Sequence, residues 1–182
     1  MKTESSAAYI ARLAITLLLI TAVVAAALAA VNSVTAPKIQ AINEQKTQTA
    51  IEAVLPGGGK EIAFTDDSGI VSTVYKGQSG YAVEVTPAGF NGAVTMMVGV
   101  DNAGQVLGIS IVNHTETAGL GAEAASQGAA GTAFRSQFAG LSGSVSVSKD
   151  GGQVDALTGA TITSRAVCTG VNAALNAVAK LG

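Results

Sequence analysis

The apolar positions change their period along the chain, and each change predicts a different element. From Leu13 to Val31 the run LAITLLLITAVVAAALAAV is almost wholly apolar, and no charge stands between Arg12 and Lys38. At ~1.5 Å per residue a helix of this length crosses a hydrocarbon core of about 30 Å. A cleaved secretory leader would carry a shorter apolar stretch, roughly 7–15 residues, before a small-residue site. Ala26-Ala27-Leu28-Ala29-Ala30 resembles such a site, but the length of the run favours an uncleaved anchor. Lys2 and Arg12 precede the span with only Glu4 opposing them. The positive-inside rule therefore predicts a short cytoplasmic N-terminus over 1–12, an anchor over 13–34 and an extracytoplasmic remainder.

Beyond the anchor, APKIQAINEQKTQTAIEAVLP predicts a juxtamembrane stalk helix within 35–60, with Pro37 in its first turn and Pro56-Gly57-Gly58-Gly59-Lys60 as a hinge. Ile39, Ile42, Ile51, Val54 and Leu55 form a broken stripe that would pack partly on the domain or on a partner. From Gly69 the period falls to two and β-branched residues dominate. GIVSTVYK, GYAVEVT, AVTMMVGV and QVLGISIV read as consecutive antiparallel strands, with Asp101-Asn102-Ala103-Gly104 as the clearest hairpin turn. Thr132–Phe138 sets Phe134 and Phe138 four apart on one helical face, where they read as core anchors. SVSVS and QVDAL read as two further short strands, and Ser164 to Lys180 as a final amphipathic helix. The expected fold class is α+β, an antiparallel sheet with flanking helices over 61–182, preceded by one transmembrane helix.

Composition narrows the chemistry. The chain has 182 residues, 48% apolar and 4% aromatic, with a net charge of −2 and no basic patch, which argues against a nucleic-acid partner. One histidine, one cysteine and scattered carboxylates provide no metal-ligand cluster. Cys168 shares helical spacing with Val171, Leu175 and Val178 and reads as a small buried apolar side chain.

Two segments stand out. In DALTGATITSRA, Thr158, Thr161, Thr163 and Ser164 surround Gly159-Ala160 just before the last helix, with no local base to turn a hydroxyl into a nucleophile. Thr163 or Ser164 could serve as the helix N-cap, or the unpaired first-turn N–H groups could face an anion. Arg165 would approach that anion or lie exposed. In NHTETAGLGAE, Gly119 and Gly121 bracket Leu120 in a backbone that must turn tightly or approach a ligand, and Glu116 and Thr117 precede the turn.

Asp155, followed by Thr158-Gly159-Ala160-Thr161, resembles the flavinylation motif of the FMN-binding domain family. His114-x-Glu116-Thr117-x-Gly119-Leu120-Gly121 resembles that family's second signature, with Ala118 where the family usually has Pro. The anchor and the pattern around Gly89-Phe90-Asn91-Gly92 match as well, so the likeness covers nearly the whole chain. Within the family it is most similar to the G subunits of Rnf electron-transport complexes, related to the C subunits of the sodium-translocating NADH:quinone reductase. The resemblance implies FMN held covalently through a phosphoester on Thr161, attached by a separate extracytoplasmic flavin transferase. It implies that Asp155, Thr158, Gly159 and Ala160 form the recognition and phosphate-seating turn, and that Glu116, Thr117, Gly119, Leu120 and Gly121 wall the isoalloxazine ring. The implied role is electron transfer among other membrane subunits of a ferredoxin:NAD oxidoreductase that moves Na+ or H+, with no catalytic residue and no metal of its own. No dinucleotide fingerprint is present, so NAD would belong to a partner subunit. A stand-alone extracytoplasmic carrier, or a membrane-tethered module with a noncovalent ligand, is the alternative.

Overall fold

The computed structural model describes residues 6–66 and 68–181. Helix α1 runs without interruption over Ser6–Val54. Its N-terminal part is apolar on every side, with Leu17, Leu18 and Val23 all exposed, and it is long and apolar enough to cross a membrane. That pattern suits lipid rather than a protein core, because a soluble surface helix confines its apolar residues to one stripe. Pro37 lies inside α1, not in the first turn of a separate stalk helix as expected. A proline removes one N–H from the helical ladder, yet the helix continues on both sides of it.

The residues up to Glu44 and those from Gln45 onward form two separate compact units. The second contains the last turns of α1, where Ala50, Ile51 and Val54, followed by Leu55, are buried with Ala82 and Met97. Of the broken stripe, Ile51, Val54 and Leu55 are thus occupied by the domain, while Ile39 and Ile42 remain exposed.

The sheet is an antiparallel meander in chain order, β1 (Lys60–Ile62), β2 (Val71–Lys76), β3 (Gly80–Val85), β4 (Val94–Asp101) and β5 (Val106–His114). Period-two alternation explains how it divides the core. Val83, Val85, Met96, Val98 and Val100 face one core cluster, whereas Ala82 and Met97 face the end of α1. The β4–β5 turn closes as its sequence predicts. Asp101 Oδ1 accepts the N–H of Ala103 (2.9 Å) and Gln105 (2.8 Å), and Gly104 takes φ +77°.

Helix α2 (Ala129–Ser136) ends beside Phe138, whose ring meets that of Phe134 edge-to-face at 5.4 Å, both fully buried. Helix α3 (Thr161–Leu181) lays Val167, Val171, Ala174, Leu175 and Val178 on the inner face of the sheet.

The two short strands expected in SVSVS and QVDAL do not form; one parallel bridge, Val147 to Val154, is all that pairs there. Their alternation is real, since Val145, Val147 and Val154 are buried, but a side chain replaces the neighbouring strand. Asn172 of α3 accepts the N–H of Val145 and donates to its C=O, both at 2.8 Å. One amide side chain thereby satisfies the backbone groups that a ladder would otherwise pair.

Candidate functional site

Helix α3 begins at Thr161, three residues earlier than its apolar periodicity predicts, and this decides what each hydroxyl does. At 100° per residue, Thr163 and Ser164 turn inward and are buried, while Thr161 and Ile162 turn outward. Ser164 Oγ accepts the N–H of Leu157 (3.0 Å) and donates to the C=O of Ala160 (3.0 Å), stapling the Leu157–Ala160 turn to the helix. Gly159 in that turn has φ +75°. Neither Thr163 nor Ser164 is the N-cap. That position falls to Ala160, which has no acceptor, and among the described residues no side chain caps the helix. The first-turn N–H groups, which the helix cannot pair internally, are therefore left without a side-chain acceptor at the end that carries Thr161.

A second loop meets this turn through Glu116, a carboxylate 8% exposed. Its Oε1 accepts the N–H of Phe90 (2.8 Å) and of Asn91 (3.1 Å), and its Oε2 accepts the hydroxyl of Thr163 (2.6 Å). Three segments distant in sequence thus share one buried charge, paired only by hydrogen-bond donors. The carboxylate fits because its neighbours lack side chains: a Cβ at Gly121 would collide with Oε2, and one at Gly89 with Oε1. His114 Nδ1 accepts the N–H of Glu116 (3.2 Å) at the end of β5, so the one imidazole fixes this loop rather than facing Thr161.

Between the two loops lies a cleft of about 390 Å³, lined by Phe90, Glu116, Thr117, Leu120, Gly121, Lys149 and residues 159–163. Phe90 is 68% exposed, Ile162 49% and Leu120 44%. The compact domain thus concentrates bare apolar surface at one cleft, as a ligand wall or contact face does. Opposite, Lys149 Nζ donates to Thr161 Oγ1 at 3.3 Å. Lys149 lies in the short 3-10 turn Ser148–Asp150, which Arg165 of α3 grips through two 2.7 Å bonds to the Asp150 carboxylate. The guanidinium holds the Asp150 carboxyl below its usual range and is itself raised in return.

Residues 89–176 match the model of the FMN-binding domain. The G subunit of an ion-translocating oxidoreductase complex from Methanosarcina acetivorans is 31% identical, covering 93% of this chain and 94% of the relative. The G subunit of the Na(+)-translocating ferredoxin:NAD(+) oxidoreductase complex of Acetobacterium woodii is 34% identical over 88% of this chain and 87% of the relative. The chain belongs to this family of G subunits. A further member, the G subunit of the proton-translocating ferredoxin:NAD(+) oxidoreductase complex of Clostridium ljungdahlii, is 40% identical over 54% of this chain and 52% of its own.

Seven of the residues expected to hold a ligand in a G subunit line the Thr161 cleft: Glu116, Thr117, Leu120, Gly121, Gly159, Ala160 and Thr161. Gly119, Asp155 and Thr158 lie instead on an adjoining cleft of about 350 Å³, separated from the first by Leu120, which lines both. There the Asp155 backbone pairs with the side chain of Gln137, its N–H to Oε1 at 2.7 Å. Arg165 takes the exposed alternative and binds Asp150. Sequence reasoning missed Lys149, Phe90, Ile162 and Thr163 as cleft residues. Thr163 carried a local signal that pointed to a cap, and Phe90 stood in the Gly89–Gly92 pattern without being read as a cleft wall. Cys168, one turn below Ser164, is buried as expected, and burial pushes its thiol up to about 11.

Proposed function

We propose that this G subunit is a membrane-anchored flavoprotein that relays electrons through FMN bound covalently, by a phosphoester, to Thr161. It would do so within a ferredoxin:NAD oxidoreductase that couples electron flow to the movement of Na+ or H+. The observation that carries this reading is the position of Thr161. Its hydroxyl stands at the uncapped start of α3, at the mouth of an apolar-walled cleft, inside a segment that matches the FMN-binding domain.

The residues present fit such a group. The uncapped N–H groups of the first turn of α3 and their dipole suit a phosphate. The apolar surfaces of Phe90, Leu120 and Ile162 suit a planar ring. The cleft volume lies within the range of small-molecule sites, roughly 300–1,000 Å³. Bound FMN supplies reversible electron acceptance, which the side chains of this protein do not. Thr161 would hold the group, Gly159 and Ala160 would let it approach the backbone, and Glu116 would fix the two loops around it. Thr161 has no carboxylate or imidazole on its hydroxyl, since the oxygens of Glu116 are turned to other donors and His114 is engaged at β5. This supports Thr161 as a residue modified by a separate flavin transferase rather than a nucleophile activated by its own fold.

By the charge bias around the anchor, the N-terminus would be cytoplasmic and the domain extracytoplasmic, where such a transferase would act. Asp155, Thr158 and Gly119, on the adjoining cleft, would belong to recognition of the motif rather than to the ring wall. The A. woodii and C. ljungdahlii relatives are named for different ions. The coupling ion is therefore not a property readable from this subunit alone.

The test is expression of the full chain in membranes with a flavin transferase, a denaturing gel viewed under ultraviolet light, and peptide mass analysis. A fluorescent band with the added mass on the Thr161 peptide is expected, and Thr161→Ala should abolish it. A dark band, or a Thr161→Ala chain that still fluoresces, overturns covalent attachment at this residue. Colour that is lost on denaturation would bring forward a noncovalent ligand.

A further inference from the structure

Glu116 and Lys149 are the charged residues lining the Thr161 cleft, and their hydrogen bonding differs. Glu116 is saturated: two backbone N–H groups and one hydroxyl take its oxygens, and it is buried. Lys149 is exposed, and among the described residues no carboxylate pairs with it; its partner is the neutral hydroxyl of Thr161 at 3.3 Å. Of three available donors, an ammonium that spends one on a hydroxyl keeps its charge unanswered.

The position of this ammonium is set by the backbone beneath it. Val147 is fully buried at the base of the turn. Asp150 N–H donates to the C=O of Val147 (2.8 Å), Gly152 N–H to the same oxygen (3.0 Å), and Ser148 N–H to the C=O of Val154 (2.7 Å). Asp150, the next residue after Lys149, is then locked to Arg165 in the first turns of the helix that carries Thr161. Because that pair neutralises itself, Arg165 has no charge to spare for the cleft. The turn brings Lys149 to Thr161, and the Asp150–Arg165 pair keeps it there.

We infer that Lys149 is the charge partner of an anionic phosphate ester on Thr161, set in place by the Asp150–Arg165 pair. The inference rests on the reading of Thr161 as the attachment point, and it assigns a role to a residue outside both sequence motifs. A lysine meets phosphate as a point charge, so arginine should substitute for it where a neutral residue cannot. An exposed ion pair is also screened by salt, with a Debye length of about 3 Å at 1 M.

The full chain, loaded by a flavin transferase, would be compared with loaded Lys149→Arg, Lys149→Gln and Lys149→Glu by phosphorus-31 resonance at low and high salt. The fraction of chain carrying added mass on the Thr161 peptide would be measured in parallel. The wild type and Lys149→Arg should share a resonance that moves between low salt and 1 M salt. Lys149→Gln should show a displacement larger than the linewidth and no response to salt, and Lys149→Glu a larger displacement still. A Lys149→Gln chain that fails to load while Lys149→Arg loads supports the pairing at an earlier step. Coincident resonances with equal salt response in all four proteins overturn it. If the wild type carries no ester, the premise and the inference fall together; if it is loaded and indifferent to position 149, only the inference falls.

Discussion

The inner and outer sides of the first turn of α3 each carry a threonine, with opposite fates. Thr163 and Ser164 point inward, are fully buried and spend their hydroxyls on Glu116, Leu157 and Ala160. Thr161 and Ile162 point outward into the cleft, and Thr161 meets only the tip of a lysine from the surface turn. The inner hydroxyls hold the site together; the outer one is left available. A residue proposed for modification needs exposure and a fixed position at once, and the helix provides both by dividing them between residues two and three positions apart.

The largest effect on stability should come from Glu116→Ala. It leaves the buried hydroxyl of Thr163 without its acceptor, at a cost of ~1–3 kcal/mol, and removes the hydrogen bonds of the part-buried N–H groups of Phe90 and Asn91. A loss of about 3 kcal/mol is expected in denaturant unfolding of the loaded or unloaded chain. Glu116→Gln, which keeps one carbonyl oxygen for the backbone donors, should lose clearly less. Equal losses in the two variants would show that packing, and not the hydrogen bonds, holds the loops. Ser164→Ala ranks next. It strands the buried N–H of Leu157 but gains helix propensity, so about 1–2 kcal/mol is expected, with a Leu157 amide that exchanges faster with solvent. An unchanged amide would mean that the staple between the turn and the helix does not depend on this hydroxyl.

The legible parts of the molecule are those that local pattern controls. The strands β2–β5 follow their alternation, Asp101 and Gly104 announce their turn, and Phe134 and Phe138 sit four apart because both reach the core. The illegible parts depend on partners far along the chain. Nothing near Val145 says that Asn172 will pair its backbone in place of a strand. Thr163 looks like a cap until Glu116, 47 residues away, accepts its hydroxyl. The cleft shows the same division. Its two motif turns are visible as small-residue runs, and Phe90 stands in the Gly89–Gly92 pattern, but nothing local to either Phe90 or Lys149 says that the fold brings it to the cleft. Pro37 misleads for the opposite reason. Its local signal is strong, yet the helices on either side are continuous enough to absorb it.

The inward face continues to Cys168, whose thiol burial pushes from its usual 9.0 to about 11. The raised value means that the folded chain keeps its thiol proton where the unfolded chain has lost it. The contribution to stability is then complete below pH 9 and is lost as pH rises towards 11. Cys168→Ala should flatten that alkaline fall, and the native thiol should ignore aromatic disulfide reagents at about pH 8 while reacting at once in denaturant. Fast native labelling would place Cys168 outside the core.

The smallest change in stability is expected at Thr161, the proposed attachment point. Thr161 buries no hydroxyl, and its bond to Lys149 is exposed, so Thr161→Ala should unfold within ~0.5 kcal/mol of the unloaded wild type. Replacing threonine by alanine at the first position of a helix also carries no propensity penalty. The comparison between the two sides of α3 therefore stands on a pair of unfolding curves measured without flavin, Ser164→Ala well below wild type and Thr161→Ala superimposed on it. Were Thr161→Ala to fall as far as Ser164→Ala, the outer hydroxyl would be a structural member of the turn like its inner neighbours. The exposure that makes Thr161 the candidate for modification would then lose its meaning.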